Sequence, residues 1–138
     1  MGPSGLFDNT TIPLLEQVVN FSQTRHNLLA GNIANLDTPG YRARDLSPVA
    51  FQARLKEALA DRHQAPSAAL PGALAAGRGD NLSRVGQDLP SMVRHDDNNV
   101  SIEQQVAELT KNQLQHNVAL SIMASQFRLL QAAISEKP

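Results

Sequence analysis

The chain has 138 residues, a formal net charge of −1, 41% hydrophobic and 4% aromatic content, and neither cysteine nor tryptophan. This length suits one small domain. The near-neutral charge gives no counterion-release drive toward nucleic acid, and the lack of cysteine excludes disulfides and thiolate metal sites. No unbroken run of about 18 apolar residues occurs, so no membrane span is expected. No basic segment followed by an apolar run opens the chain, so no cleaved secretory signal is expected.

Residues 1–11 read as a short, flexible polar tail. Thr10 or Thr11 is placed to cap a helix with Pro13 in its first turn. Over 12–36 a series stepping by four and three, Leu15, Val19, Ser22, His26, Leu29, Ile33 and Leu36, predicts an amphipathic helix, with Leu14, Val18 and Leu28 widening its stripe. The helix must stop at Thr38-Pro39-Gly40-Tyr41. Pro39 pushes Thr38 out of the helical region and suits the first corner of a turn, and Gly40 suits a second corner at positive φ. Asp37 and Thr38 have side chains able to bond nearby orphan backbone groups.

Ser47-Pro48 reads as an N-cap and first helical residue. Phe51, Leu55, Ala58 and Leu59 then share one face of a short helix, 48–61, that packs back on the first. Residues 12–61 thus form an N-terminal unit. Across 62–95 the periodicity dissolves among prolines and glycines, which predicts a flexible insert with a short extended piece at 91–94. In the last unit, 96–138, Ser101 and Gln104 form a capping box. From there Ile102, Val106, Leu109, Gln113, His116, Leu120, Met123, Phe127, Leu130 and Ile134 predict a coiled-coil helix over 101–135.

The expected fold is therefore all-α. Two long terminal helices form an antiparallel coiled-coil-like hairpin, joined through a short helix and a Pro/Gly-rich middle. The packing set is Leu15, Val19, Leu29, Ile33, Leu36, Ile102, Val106, Leu109, Leu120, Met123, Phe127, Leu130 and Ile134. An antiparallel pair with Leu36 opposite Val106 sets His26 level with His116. A parallel pair aligned from Leu15 and Ile102 sets His26 level with Gln113. Connectivity favours the antiparallel pair, with Ser22, His26, Gln113 and His116 as a polar layer that fixes register. Two such stripes with few aromatics call for neighbouring copies or partners to cover the remaining apolar faces.

Reactive chemistry is not legible. His26, His63, His95 and His116 share no metal-ligand spacing. The Asp37-Thr38 pair lies at a helix end, whereas aspartic proteases need Asp-Thr-Gly on a strand. No glycine-rich loop follows a strand. The expectation is a chain that is not an enzyme, with no cofactor, metal, nucleic acid or small-molecule substrate.

Ala34, Asn35, Thr38, Pro39, Gly40 and Tyr41, preceded by Leu29 and Asn32-Ile33, together resemble the signature of bacterial flagellar rod and hook proteins. The continuation Tyr41-Arg42-Ala43-Arg44-Asp45-Leu46 is most similar to that of a proximal rod protein. Residues 97–103, 111–113 and 127–130 resemble the carboxy-terminal segment of the same proteins, so the likeness covers about half the chain. It implies a structural subunit of the basal body rod, polymerising through its terminal helices around a central channel in the periplasm. It also implies passage through the flagellar type III export system without a cleaved signal. The implied neighbours are copies of itself, other rod subunits, the rod-junction protein FliE and the export gate. The implied interaction residues are Asn32, Asn35, Thr38, Pro39, Gly40, Tyr41, Arg42, Arg44 and Asp45. Among them the turn fixes how the next segment leaves the helices, and Arg42, Arg44 and Asp45 pair with adjacent subunits. Another proximal rod subunit is the alternative. A cytosolic coiled-coil adaptor explains the helices but leaves the turn signature as coincidence.

Overall fold

The computed structural model describes residues 11–64, 84–85, 89, 92–93 and 102–135. The described chain is mostly helical: α1 is Ile12–Ala34, α2 is Pro48–Gln64 and α3 is Ile102–Ser135. Between them a two-residue strand, β1 (Arg44–Asp45), pairs antiparallel with β2 (Met92–Val93), Arg44 opposite Val93 and Asp45 opposite Met92. The expected tail up to Thr10, most of the 62–95 insert including His95, residues 97–100 and Ser101 of the capping box lie outside the described residues.

α1 begins at Thr11 with Pro13 in the first turn, but the Thr11 side chain makes no capping bond. The Thr11 carbonyl instead accepts the Leu15 N–H at 3.0 Å, starting the ladder. The helix ends at Ala34, not Leu36. Asn35 leaves helical geometry at φ −108°, ψ 17°, and its N–H still reaches Gly31 O. α2 opens at Ser47-Pro48 as the sequence indicates. The Ser47 hydroxyl oxygen accepts the Ala50 N–H at 3.2 Å, and its carbonyl accepts the Phe51 N–H at 3.1 Å. The helix continues past 61 to Gln64.

The apolar core joins α1 to α2. Phe21, Leu46, Phe51, Ala58 and Val85 are buried together, flanked by Val18, Leu28, Leu55 and Leu89. The rings of Phe21 and Phe51 stack at 4.1 Å between centroids, 8° from parallel. Each buried phenyl ring contributes about 1.5–3 kcal/mol. With so few aromatics in the chain, this pair is the principal anchor of α2.

α1 meets α3 along a different kind of seam. Asn32 bonds Gln105, Arg25 bonds Glu108, and Ser22 meets both Asn112 and His116. The bonded residues rise along α3 as they fall along α1. His116 reaches Ser22, so the alignment that sets His26 level with His116 is displaced by about one turn. On α3 the buried residues are Gln105, Asn112 and Ala119, at heptad spacing. On α1 they include Leu15, Ser22, Arg25, Leu29 and Asn32. Of the expected packing set, Leu15 and Leu29 are buried, and Val19, Ile33, Leu109, Met123 and Leu130 are half-buried. Leu36, Ile102, Val106, Leu120, Phe127 and Ile134 are exposed within the chain. The physical reason lies in the amides. Among the described residues Gln105 and Asn112 find their side-chain partners on α1, and seating them there turns the neighbouring apolar row outward.

By length and composition α3 is also apolar enough to cross a membrane, with an 18-residue window of mean hydropathy 1.3, of which 6% is buried. The expectation of no span rested on unbroken apolar runs, and α3 is broken by Asn112, Gln113, His116 and Asn117.

Candidate functional site

The helix exit is built by Asn35. Its Nδ2 donates to Gly31 O at 2.8 Å, and its Oδ1 accepts the Thr38 hydroxyl at 3.2 Å. Thr38 N–H returns to Asn35 O at 3.0 Å, and Tyr41 N–H closes the next turn on Thr38 O at 3.2 Å. Pro39 and Gly40 occupy the two corners, and Gly40 has φ +79°. Proline first and positive-φ glycine second is the pattern of a type II turn. Thr38, Pro39, Gly40 and Tyr41 are exposed, so the turn presents itself to the outside.

The turn directs the chain back to Asn32, which is 2% exposed. The Asn32 carboxamide donates to Arg44 O at 2.7 Å and accepts Arg44 N–H at 3.0 Å. Bonding both backbone groups of one residue, it stands where a neighbouring strand's peptide would. Its second amide hydrogen goes to Gln105 Oε1 at 3.3 Å, and its oxygen also accepts the Tyr41 hydroxyl at 3.1 Å. Every hydrogen-bonding position of this side chain is filled. Asp lacks the donors and Gln sets the amide a methylene too far out, so Asn is the residue the geometry demands.

One α1 turn pair away, Arg25 repeats the arrangement with charge. Its Nε donates to Asp45 Oδ1 at 2.9 Å and its Nη2 to Asp45 Oδ2 at 3.1 Å, a two-point grip. Nη2 also reaches Glu108 Oε2 at 2.9 Å. The side chains of Arg25, Asp45 and Glu108 are 5%, 14% and 36% exposed. Burial opposes the guanidinium charge more than any other single influence. The bonds and charges of Asp45 and Glu108 together outweigh it, so the Arg25 pKa is raised.

Below these clips, Asn112 Nδ2 donates to Ser22 O at 2.7 Å. The Ser22 hydroxyl lies 2.9 Å from Val19 O and 2.8 Å from His116 Nδ1. One hydroxyl hydrogen serves one of them. If it points to Val19, His116 must carry the proton on Nδ1. His26, the other histidine of the expected polar layer, has a buried Nδ1 with no partner among the described residues.

The sequence-predicted site residues thus divide. Asn32, Asn35, Thr38, Pro39, Gly40 and Tyr41 come together as one bonded exit. Arg44 enters through its backbone and leaves its side chain exposed, as is Arg42. Asp45, expected to face an adjacent subunit, is engaged within the chain by Arg25, and its carboxylate also accepts Leu46 N–H at 2.8 Å. The pattern reading missed Arg25, Gln105, Glu108 and Asn112. The available signal was a run of polar residues on one face of each helix, Ser22, Arg25 and Asn32 on α1 and Gln105, Glu108 and Asn112 on α3, where an apolar stripe was expected.

No family model matches the chain. Among curated proteins it is similar to several named flagellar basal body rod protein FlgB. That of Salmonella typhimurium is 31% identical over 127 residues, spanning 82% of this chain and 84% of the relative. That of Escherichia coli is 29% identical over 122 residues, with the same coverage of 82% and 84%. That of Aquifex aeolicus is 28% identical over 127 residues, spanning 89% and 91%. Identity sustained over most of both lengths, in a chain whose helix exit is built around the rod-type turn, establishes that this protein belongs to the FlgB family of flagellar basal body rod proteins.

Proposed function

We propose that this structural subunit of the flagellar basal body rod polymerises through the outward faces of its two long helices, held as an antiparallel coiled-coil-like hairpin. The observation that carries this reading is the split character of α3. Its polar row is satisfied inside the chain, while Val106, Leu120, Phe127 and Ile134 remain exposed beside it. An apolar row of this kind on a rod subunit is a surface for neighbouring subunits. In this reading 12–61 and 96–138 are the rod segments, 62–95 is the insert between them, and 1–11 is the N-terminal tail.

The exposed turn at Thr38-Pro39-Gly40-Tyr41, with Arg42 and Arg44, forms a second, polar contact. FliE and the export gate are the neighbours proposed at the base, and the rod site is periplasmic, reached through the type III system. The FlgB relatives favour this reading over another, FlgC-like, proximal subunit. They leave a cytosolic adaptor without support. The test is deletion in the host followed by complementation. Deletion is expected to abolish flagella and motility. Leu120→Gln with Phe127→Gln is expected to accumulate as a folded protein without restoring them. Motile cells after deletion overturn the reading, and full rescue by the double variant overturns the assignment of the surface.

A further inference from the structure

Residues 41–46 form a strap between the turn and α2, and two α1 side chains hold it. Each of those side chains also holds α3. Asn32 bonds Arg44 and Tyr41 on the strap and Gln105 on α3. Arg25 bonds Asp45 on the strap and Glu108 on α3. We infer that docking of α3 and seating of the strap on α1 are one thermodynamically coupled event, so that displacement of α3 releases the strap.

The coupling has two physical sources. The first is shared satisfaction. Gln105 takes the second amide hydrogen of Asn32, and Glu108 gives Arg25 a second carboxylate. Without α3 both groups are left with part of their capacity unmet. The second is solvent. With α3 in place Arg25 is 5% and Asp45 14% exposed. An ion pair opened to water loses most of its worth, whereas a dry, fully bonded pair holds. α3 therefore strengthens a bond between two other segments. Linkage makes the effect mutual: whatever loosens the strap loosens α3 by the same factor. The strap also carries Leu46 into the core beside Phe21 and Phe51, and Arg44 and Asp45 into the β1–β2 pairing. The state of α3 is thereby passed to the strap and to the β1–β2 pairing, while the first turn of α2 keeps its own bonds to Ser47.

The test is amide hydrogen exchange by NMR on the full chain. The Arg44 N–H, bonded to Asn32, is the strap reporter, and the Phe51 N–H, bonded to Ser47 within the first turn of α2, is the reference. Glu108→Gln and Gln105→Ala, made separately, are each expected to speed exchange at Arg44 relative to Phe51 on the order of tenfold. Asp45→Asn is expected to speed the α3 amides around Glu108 by a similar factor. If Gln105→Ala does not fold, the isosteric Glu108→Gln reads the same coupling. Exchange at Arg44 that is unchanged, or that rises only in step with Phe51, overturns the inference. Strict additivity of Asp45→Asn and Glu108→Gln in urea midpoints overturns it equally.

Discussion

Gly31 and Gly40 stand on either side of the helix exit, and a methyl group added to each has opposite consequences. At Gly40 nothing lies within 4 Å of an added Cβ, but φ is +79°. Gly40→Ala is therefore expected to destabilise by about 1–2 kcal/mol through backbone strain alone. At Gly31 the added Cβ meets the Tyr41 hydroxyl at 3.7 Å, an ordinary contact, inside a helix. Gly31→Ala is expected to stabilise by about 0.5–1 kcal/mol. Urea midpoints of the two variants check both signs. Arg25 allows a third test. Lysine is a point charge and cannot grip both oxygens of Asp45 while reaching Glu108, so Arg25→Lys is expected to cost about 1–3 kcal/mol. The sign with pH follows from the raised Arg25 pKa. The group's contribution is fully present below the ordinary arginine value and is lost only as pH rises through the higher folded value. The deficit of Arg25→Lys, read by the same midpoints, is thus expected to be constant from pH 7 to about 9. At this scale the turn was legible, because proline and glycine dictate their own dihedrals. Arg25 was not, because its role depends on carboxylates brought in from two other segments.

The helices themselves were largely readable as elements. The capped start of α2 at Ser47-Pro48 and its buried Phe51 and Ala58 follow from local spacing. The face α3 turns inward does not. Heptad spacing locates the apolar row Val106, Leu120, Phe127, and hydrophobicity alone would bury it. What decides is that Asn112 and Gln105 have partners on α1, and an unpartnered buried amide costs more than an exposed leucine. Two variants on α3 separate these rows. Asn112→Ala is expected to lower stability by about 1–3 kcal/mol, because Ser22 O and the seam lose a buried partner. Leu120→Gln with Phe127→Gln is expected to stay within about 0.5 kcal/mol of the parent under dilute conditions. Denaturant titration at low protein concentration distinguishes them. The reverse order of sensitivity would show that the apolar row, not the amide row, is the one held inside the chain.

The molecule as a whole is anchored at one end and unfinished at the other. Phe21, Phe51 and the two clips fix α1, α2 and the strap, whereas the far half of α3 exposes Val118, Leu120, Ile122, Phe127, Leu129 and Ile134. These fall on both flanks of the Gln105, Asn112, Ala119 row, so one further helix cannot cover them all. In the proposed reading this patch is the contact between subunits, and its chemistry predicts how that contact behaves. Because the exposed side chains are aliphatic and aromatic, self-association should persist as sodium chloride rises and strengthen in sulfate, unlike an interface of ion pairs. Sedimentation velocity over a range of protein concentrations is expected to show concentration-dependent oligomers with that salt response. Leu120→Gln with Phe127→Gln is expected to shift the distribution toward monomer, and Arg42→Ala to shift it less. A chain that stays monomeric at every concentration, or whose oligomers dissolve in sodium chloride, would mean that charged groups near the turn, and not α3, carry the contact between copies.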